Sequence, residues 1–282
     1  MKVTTINGGA HRAIQLVEMK GDPQEPLAVA TFGLHGTGKT RLAATAPGPI
    51  GLVPLDRKTR QTMLRVSNEF GRKVVIPDAD LFRADNPMLL ATLKPDCGNK
   101  SKVVGLTGQQ PDCCAIHAYR FGLNRIKDVI FRMAEDDNLR SIVIDSATNL
   151  WDDILFANHG RTDHINPRDR GPDNREMQEL LAACSSKNLV LTHKSKEIWK
   201  AEKPTGRFEW DGYKHLGYET NVIVEQMRSP NPTEDGWTYK LQTKMCQANA
   251  ALSGLDLLFD DSISFKSLAE AIYPEAPDGY FD

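Results

Sequence analysis

The sequence predicts an α/β protein whose mostly parallel central sheet is covered by helices on both faces. Apolar strand patterns alternate with helical patterns along the chain, as they do in crossover units. Residues 27–32 form an apolar run that ends in a glycine-rich turn, and the apolar strand pattern at 141–144 ends in Asp145. Strands of a parallel sheet are buried on both faces and read as continuous apolar runs, so these patterns favour a parallel arrangement.

The first half of the core is predicted from stop signals and apolar runs. A helix over 39–46 begins where the glycines end and is stopped by Pro47, Gly48 and Pro49. An apolar strand follows at 50–55, where Pro54 indicates an edge or a bulge. A helix at 59–70 and a short strand at 73–76 complete this half.

The second half is predicted from periodicity. An apolar stripe at helical spacing, formed by Leu123, Ile126, Ile130 and Met133, predicts a helix over 119–135. The remaining predicted elements are a strand at 141–146, a helix at 174–185, a strand at 188–192, a hairpin of strands 221–227 and 237–244, and a helix at 264–272.

The domain organisation follows from these elements. We expect an N-terminal extension at 1–26, a core at 27–250, and a C-terminal helix and tail at 251–282. Residues 85–115 are rich in proline and glycine and show little periodicity, which indicates an insertion into the core.

The composition limits the possible functions. The chain has 282 residues and a formal net charge of −2, so any nucleic-acid contact has to come from a local basic patch. No stretch approaches the ~20 apolar residues of a membrane span, and the first nine residues lack a signal-peptide pattern. The five cysteines are odd in number and lack framework spacing, which suits a reducing compartment. We expect a soluble, cytoplasmic protein without a membrane partner.

Residues 33–40 match the phosphate-binding loop pattern G-x-x-x-x-G-K-[ST] completely. Glycines let the backbone approach a phosphate, and the amides at the start of the following helix point at the anion. Lys39 supplies a positive charge to the β/γ-phosphates, and the Thr40 hydroxyl is a ligand for Mg²⁺. The predicted nucleotide-binding residues are Gly33, Leu34, His35, Gly36, Thr37, Gly38, Lys39, Thr40 and Arg41.

Asp145 is the second candidate site residue, after the phosphate loop. An acid at the end of an apolar strand, here after Ile142, Val143 and Ile144, is the Walker B arrangement, in which the carboxylate holds Mg²⁺ or its waters beside the γ-phosphate. The alternative is an acid at a strand end that caps a neighbouring helix. With a phosphate loop earlier in the chain, the sequence predicts a metal site formed by Thr40 and Asp145, with ATP and Mg²⁺ as cofactors.

The order of these motifs resembles the RecA-type ATPase core, and in particular the compact phage RecA-like ATPases of single-strand annealing and recombination. The resemblance covers residues 27–250 and includes 191–194 at the end of a strand and 211–216 before the strand at 221–224. It implies a RecA-like P-loop core without large flanking DNA-binding domains. It also implies ATPase activity, single-stranded DNA as a partner, and self-association into a ring or filament.

Two further catalytic candidates come from the resemblance. Asp56 stands near the place of the acid that orients the attacking water, where the family usually has a glutamate; it could equally be an ordinary strand-end acid. His193 stands where a polar residue senses the γ-phosphate, or it is a structural histidine. Together with Lys39 and Asp145, these residues are the predicted catalytic set.

The resemblance also implies that a loop after His193 contacts DNA. Residues 194–210 contain four lysines and one arginine against three glutamates, interleaved with three aromatic residues. Cations of this kind follow a nucleic-acid backbone while aromatic rings stack on bases. A structural hairpin or lid with aromatics packed on the core, or a protein interface, are the alternatives. The predicted DNA-binding residues are Lys194, Lys196, Trp199, Lys200, Lys203 and Arg207.

The sequence therefore predicts an ATP-binding, ATP-hydrolysing protein that acts on single-stranded DNA. The alternative is a nucleotide-switched assembly or loading factor with slow hydrolysis and a protein partner. A small-molecule kinase is a third possibility, which the long separation of Lys39 from Asp145 and the lack of an arginine-rich lid disfavour.

Overall fold

The fold is built on an eight-stranded sheet. The computed structural model describes residues 3–6, 14–17, 26–56, 58–77, 113–230, 237–259, 263–276 and 281. Across the sheet the order is β12 (Asp256–Phe259), β11 (Trp237–Cys246), β10 (Val222–Pro230), β3 (Ala28–Phe32), β7 (Asn188–His193), β6 (Ser141–Asp145), β4 (Ile50–Pro54) and β5 (Val74–Val75). The six strands from β10 to β5 are parallel, whereas β11 and β12 add antiparallel pairs at one edge.

Helices cover both faces of this sheet. They are α1 (Lys39–Ala44), α2 (Thr59–Glu69), α3 (Cys113–Glu135), α4 (Ala147–His159), α5 (Gly171–Ala183), α6 (Leu216–Glu219) and α7 (Phe265–Ile272). Side chains of α3, α4 and α5 share one buried cluster with Ile142 and Ile144 of β6. Val143 of the same strand points into the other cluster, which α1, α2 and α7 cover. This alternation is the period-2 pattern of a strand buried on both faces, and the predicted fold class is confirmed.

The order of the parallel strands separates the phosphate loop from Asp145. β7 lies between β3, which carries the phosphate loop, and β6, which ends in Asp145. Because all these strands are parallel, their carboxyl ends share one edge of the sheet. In open α/β sheets, ligands bind outside this edge.

Several elements depart from the sequence-based expectation. Helix α4 was not predicted; it begins after Ser146, whose hydroxyl accepts a hydrogen bond from the Asn149 amide, and ends at Gly160 in the left-handed region. Residues 194–210 were expected to be a loop, but most of them form an antiparallel ribbon of β8 (Ser195–Lys200) and β9 (Lys203–Trp210). We call these two strands the ribbon.

The termini also contain strands. β1 (Val3–Ile6) and β2 (Ile14–Val17) pair as a hairpin within the predicted extension. β12 pairs with β11, so the main sheet continues past residue 250. The predicted insertion at 85–115 lies outside the described residues except for 113–115, which belong to the first turn of α3.

A substitution at Gly51 in β4 tests the packing of this sheet against α3. A methyl group on Gly51 would lie 2.9 Å from Leu139 Cδ1 and 3.0 Å from Met133 Sδ, and both side chains are buried. We expect Gly51→Ala to lower the free energy of unfolding by about 1–3 kcal/mol, because overpacking a dense core forces its neighbours to shift. Urea denaturation measures this.

The matched control is Gly171→Ala at the start of α5. Within the described residues, and apart from its chain neighbours and the backbone of its own helix, no atom lies within 4 Å of a methyl group at that position, and the backbone is already helical. Alanine there should leave the stability unchanged or raise it slightly. Equal unfolding midpoints for Gly51→Ala and Gly171→Ala would contradict the packing described.

Candidate nucleotide-binding site

The four predicted catalytic residues lie at the carboxyl edge of the sheet. Asp145 is the last residue of β6, and His193 is the last residue of β7. Asp56 follows β4 by two residues, and Lys39 opens α1 directly after the phosphate loop. The parallel register aligns these strand ends, pairing Asp145 with Thr192 and His193 with Phe32.

The phosphate loop turns sharply between β3 and α1. Gly36 and Gly38 have φ of +79° and +98°, and Gly38 is the residue from which α1 starts. These values lie in the left-handed region, which glycine adopts without steric cost. Of the other predicted binding residues, Thr37 donates to the Leu34 carbonyl at 2.9 Å, and His35 is exposed.

Lys39 folds back over its own loop. Its Nζ donates to the carbonyl oxygens of Gly33 at 2.7 Å and Leu34 at 2.9 Å. Burial lowers the pKa of Lys39, while the negative charges of Asp145 and Asp56 act in the opposite direction. A lysine placed in this way has its charge inside the curve of the loop.

Arg41 is the predicted binding residue that is engaged elsewhere. Its guanidinium lies 3.9 Å from Glu69 and 5.4 Å from the ring centroid of Phe70, both at the end of α2. These contacts tie α1 to α2, so Arg41 in this arrangement serves helix packing. Its predicted contact with nucleotide stays a prediction.

Asp145 is buried and accepts hydrogen bonds from three threonine hydroxyls. Thr40 and Thr59 donate to Oδ2 at 3.1 and 3.0 Å, and Thr192 donates to Oδ1. Burial raises the pKa of this carboxyl, and the hydrogen bonds from the hydroxyls partly offset the effect. Thr59 and Thr192 were not among the predicted site residues.

The donor set around Asp145 suits magnesium. Carboxylate and hydroxyl oxygens are hard ligands of the kind that Mg²⁺ binds beside phosphate groups. Because Thr40 and Asp145 are in direct contact, they can act on one ion, either directly or through its waters. Both predicted metal ligands are therefore together at the end of the phosphate loop.

Asp56 lies next to Asp145 but faces outward. The backbone amides of Leu55 and Asp56 donate to the Asp145 carbonyl at 2.6 and 3.1 Å, which fixes the turn after β4. The Asp56 side chain is exposed, and its Oδ1 accepts from the Lys58 amide at 3.1 Å. The carboxylate is thus oriented by its local turn at the rim of the site.

His193 is fully buried. Its Nδ1 lies 3.3 Å from the carbonyl oxygen of Asp211, so Nδ1 carries the hydrogen and Nε2 is an acceptor without a partner in the described residues. Burial lowers the pKa of His193 to about 4, against the opposing effect of Asp211. A neutral imidazole in this tautomer accepts a hydrogen bond from water more readily than it donates one to phosphate.

The predicted DNA-binding residues divide into two groups along the ribbon. At its base, Lys194 donates to Asn149 Oδ1 at 2.7 Å, and Lys196 lies within 3.6 Å of Glu209 and Asp211. Toward its tip the side chains are exposed, and Trp199 is 61% exposed. The exposed members toward the tip are Trp199, Lys200, Lys203 and Arg207, and Lys194 is exposed at the base.

Two aromatic residues of the ribbon pack inward instead. Phe208 and Trp210 contact the buried cluster under α3, α4 and α5. The Trp210 ring meets Phe32 edge-on at 6.1 Å, and its indole N–H donates to the Tyr213 carbonyl at 2.9 Å. Trp199 is therefore the aromatic residue that the described ribbon exposes to a partner.

Sequence reasoning missed the residues that flank the loop from the C-terminal hairpin. Gln226 and Arg228 of β10, and Tyr239 of β11, lie against the phosphate-loop glycines. They are nearly 200 residues away in sequence, and no motif marks them. A purely local pattern could not have found them.

Strand order and loop together define the architecture: a mostly parallel α/β sheet with a phosphate-loop motif, and one strand between the phosphate-loop strand and the strand bearing the acid. No family model and no curated protein matches the chain. Among solved structures it is similar to a KaiC-like protein from the hyperthermophilic archaeon Pyrococcus horikoshii. That likeness has a TM-score of 0.45 and 16% identity, and covers 84% of this chain and 87% of the other.

Among the described residues, no helix is both long and apolar enough to cross a bilayer.

The buried His193 predicts a pH dependence of stability. Its pKa is about 4 in the folded chain and about 6.5 when unfolded. Between these values the unfolded state binds more protons, so stability falls as the pH is lowered from 6.5 to 4. We expect a loss on the order of 2–3 kcal/mol from this residue by pH 4.

Comparison with His193→Gln isolates this contribution. Glutamine stays neutral, so the variant should lose less stability than the wild type between pH 7 and pH 4.5, as measured by chemical denaturation. The raised pKa of Asp145 acts with the opposite sign, but it is common to both proteins and cancels in the difference. Parallel stability curves for the two proteins would contradict a neutral, buried His193.

Proposed function

We propose that the protein binds ATP with Mg²⁺, hydrolyses it, and couples the nucleotide to single-stranded DNA held on the ribbon. The hydrogen bond of Thr40 to Asp145 at the end of a complete phosphate loop supports this best. It brings the two predicted metal ligands together from positions more than 100 residues apart. Few other functions need a lysine, a hydroxyl and a buried carboxylate in this arrangement.

Each residue has a role in the proposed reaction. The loop amides and Lys39 bind the β- and γ-phosphates, and Thr40 and Asp145 hold the metal ion. Bound Mg²⁺ neutralises the charge that develops on the phosphate oxygens. Asp56, at the rim beside Asp145, is the proposed residue that orients the attacking water, and as an aspartate it is one methylene shorter than the usual glutamate.

A chain of hydrogen bonds supports coupling between the nucleotide edge and the ribbon. The Lys194 amide donates to the Thr148 hydroxyl at 3.0 Å, and this hydroxyl donates to the Asp211 carbonyl at 2.7 Å. The same carbonyl lies beside His193. Both ends of the ribbon are therefore fixed to the strand end that bears His193, so a displacement there would be transmitted to the ribbon.

The exposed end of the ribbon supports DNA as the partner. Lys200 and Lys203 are paired across the turn, and Trp199 stands opposite Pro204 in the adjacent pair. Cations beside an exposed ring suit a strand whose phosphates and bases are both accessible. The sequence resemblance further supports self-association, which light scattering with and without nucleotide would test.

Substitution of Lys39 tests nucleotide binding. We expect Lys39→Ala to reduce binding of a fluorescent ATP analogue and ATP turnover by at least about 100-fold, because the charge on the β/γ-phosphates is lost. Lys73→Ala is the control, since Lys73 precedes β5 at the opposite edge of the sheet. Wild-type turnover in Lys39→Ala would refute the proposed site.

Removal of the exposed cations of the ribbon tests DNA binding. The triple variant Lys200→Ala, Lys203→Ala, Arg207→Ala should lose single-stranded DNA in gel shifts at low salt and any stimulation of turnover by DNA, while keeping basal ATPase activity. Three lost phosphate contacts should reduce the slope of log affinity against log salt by about 2.

A charge-matched control removes exposed cations elsewhere: Arg65→Ala, Lys73→Ala, Arg132→Ala. It should bind DNA as the wild type does. If wild-type protein with ATP binds no DNA but captures a protein partner that it releases with ADP, the ssDNA role is wrong and the assembly-factor alternative is favoured.

A further inference from the structure

One face of the C-terminal hairpin lies directly on the phosphate loop. A methyl group on Gly33 would lie 2.3 Å from the Gln226 carbonyl oxygen, and one on Gly38 would lie 3.4 Å from Gln226 Oε1 and 3.8 Å from the Tyr239 ring. Residues two apart on a strand share a face, so Gln226 and Arg228 point the same way. The hairpin thus forms a wall beside the loop.

Arg228 is the charged residue of this wall. A methyl group on Gly36, in the middle of the loop, would lie 2.9 Å from both the guanidinium carbon and one terminal nitrogen of Arg228. The guanidinium therefore rests against the glycine backbone, and a side chain at position 36 would push it away. An exposed positive charge is held against the segment whose amides face the phosphates.

Arg228 is held there by an aromatic ring. Its guanidinium carbon lies 4.3 Å from the centroid of the Trp237 ring, a cation–π contact. Within the described residues no carboxylate pairs with it, whereas the other two cations of the hairpin are neutralised: Lys240 pairs with Asp256, and Lys244 with Glu225 at 2.6 Å. Among the described residues of the hairpin, Arg228 is thus the cation without a carboxylate partner, and it is the one beside the loop.

Gln226 is an independent sign of a polar ligand in the same place. Its side chain is buried, and neither its amide nitrogen nor its amide oxygen has a hydrogen-bond partner within the described part of the chain. Buried polar groups are nearly always paired. An unpaired amide next to Gly38 is therefore expected where a polar group from a ligand or its hydration shell arrives.

We propose that Arg228, supported by Trp237, is a second phosphate-binding cation of this site, acting on the β/γ-phosphates of the nucleotide bound by its own chain. The inference rests on the proposed nucleotide binding and adds a residue to it. Lys39 approaches the phosphates from inside the loop, whereas Arg228 approaches from the hairpin side at Gly36. A planar guanidinium presents two parallel N–H donors that match a pair of phosphate oxygens, a fixed geometry that an ammonium group does not offer.

The expected consequence is discrimination between nucleotides by charge. A cation near the β/γ-phosphates contributes more to the binding of a triphosphate than of a diphosphate. Removing it should therefore weaken ATP binding more than ADP binding. A residue that merely packs against the loop would affect both nucleotides equally.

The experiment compares binding of a non-hydrolysable ATP analogue and of ADP to full-length wild type and Arg228→Met by titration calorimetry. Methionine keeps an unbranched apolar chain on the Trp237 ring and removes the charge. We expect about a 10-fold loss for the ATP analogue, equivalent to about 1.4 kcal/mol, and a smaller loss for ADP. Arg228→Lys should recover only part of the loss, and Arg132→Met, on the exposed surface of α3, should bind as the wild type does.

The outcomes separate this inference from the proposed function. If the wild type binds neither nucleotide, the proposed function fails. If the wild type binds both and Arg228→Met binds them with unchanged affinity, or loses equally for ATP and ADP, only the role of Arg228 is refuted. If Arg228→Met unfolds at a lower temperature, Arg228→Lys decides: an ATP affinity equal to that of the wild type would refute the two-oxygen contact.

Discussion

The structure of this site depends on the burial of one carboxylate. Asp145 lies inside the sheet edge, where an isolated charge is costly, and three hydroxyls from separate elements compensate for it. Thr192 comes from the neighbouring strand in register, Thr40 from α1 and Thr59 from α2. One acid therefore ties two strands and two helices together. Its raised pKa indicates that these hydroxyls do not fully offset burial, and a positive charge beside the carboxylate would offset more of it.

Strand order gives this acid its relation to the rest of the molecule. Because β7 lies between β3 and β6, the end of β7 falls between the phosphate loop and Asp145. The chain then passes from His193 through one residue into the ribbon. The base of the ribbon is therefore within one residue of the sheet edge where the proposed nucleotide would bind. A change at that edge on nucleotide binding would have a short distance to travel to the ribbon.

Local signals predicted the parts of the site that are local. The phosphate loop and Asp145 are contiguous patterns, and the alternation of apolar runs and helices was enough for the sheet. Helix α4 was missed although its signals are present: Leu150, Trp151, Ile154 and Leu155 form an apolar stripe at helical spacing, and Ser146 and Gly160 mark its ends. The ribbon shows a different limit: composition placed three aromatics in one basic segment, but only the fold decides that Phe208 and Trp210 face the core. Thr59, Thr192 and Arg228 reach the site through register and topology, which no sequence window contains.

The position of Lys39 makes phosphate binding an exchange rather than a simple addition. Its ammonium group donates to the carbonyls of Gly33 and Leu34, so phosphate oxygens compete with two neutral acceptors already in place. Burial favours the uncharged amine, and an anion in the loop favours the ammonium form. A ligand with one weak negative charge gains little from displacing two good hydrogen bonds, whereas a polyphosphate gains strong charge-assisted ones. For the proposed nucleotide, this exchange would favour a highly charged tail independently of contacts with base or sugar.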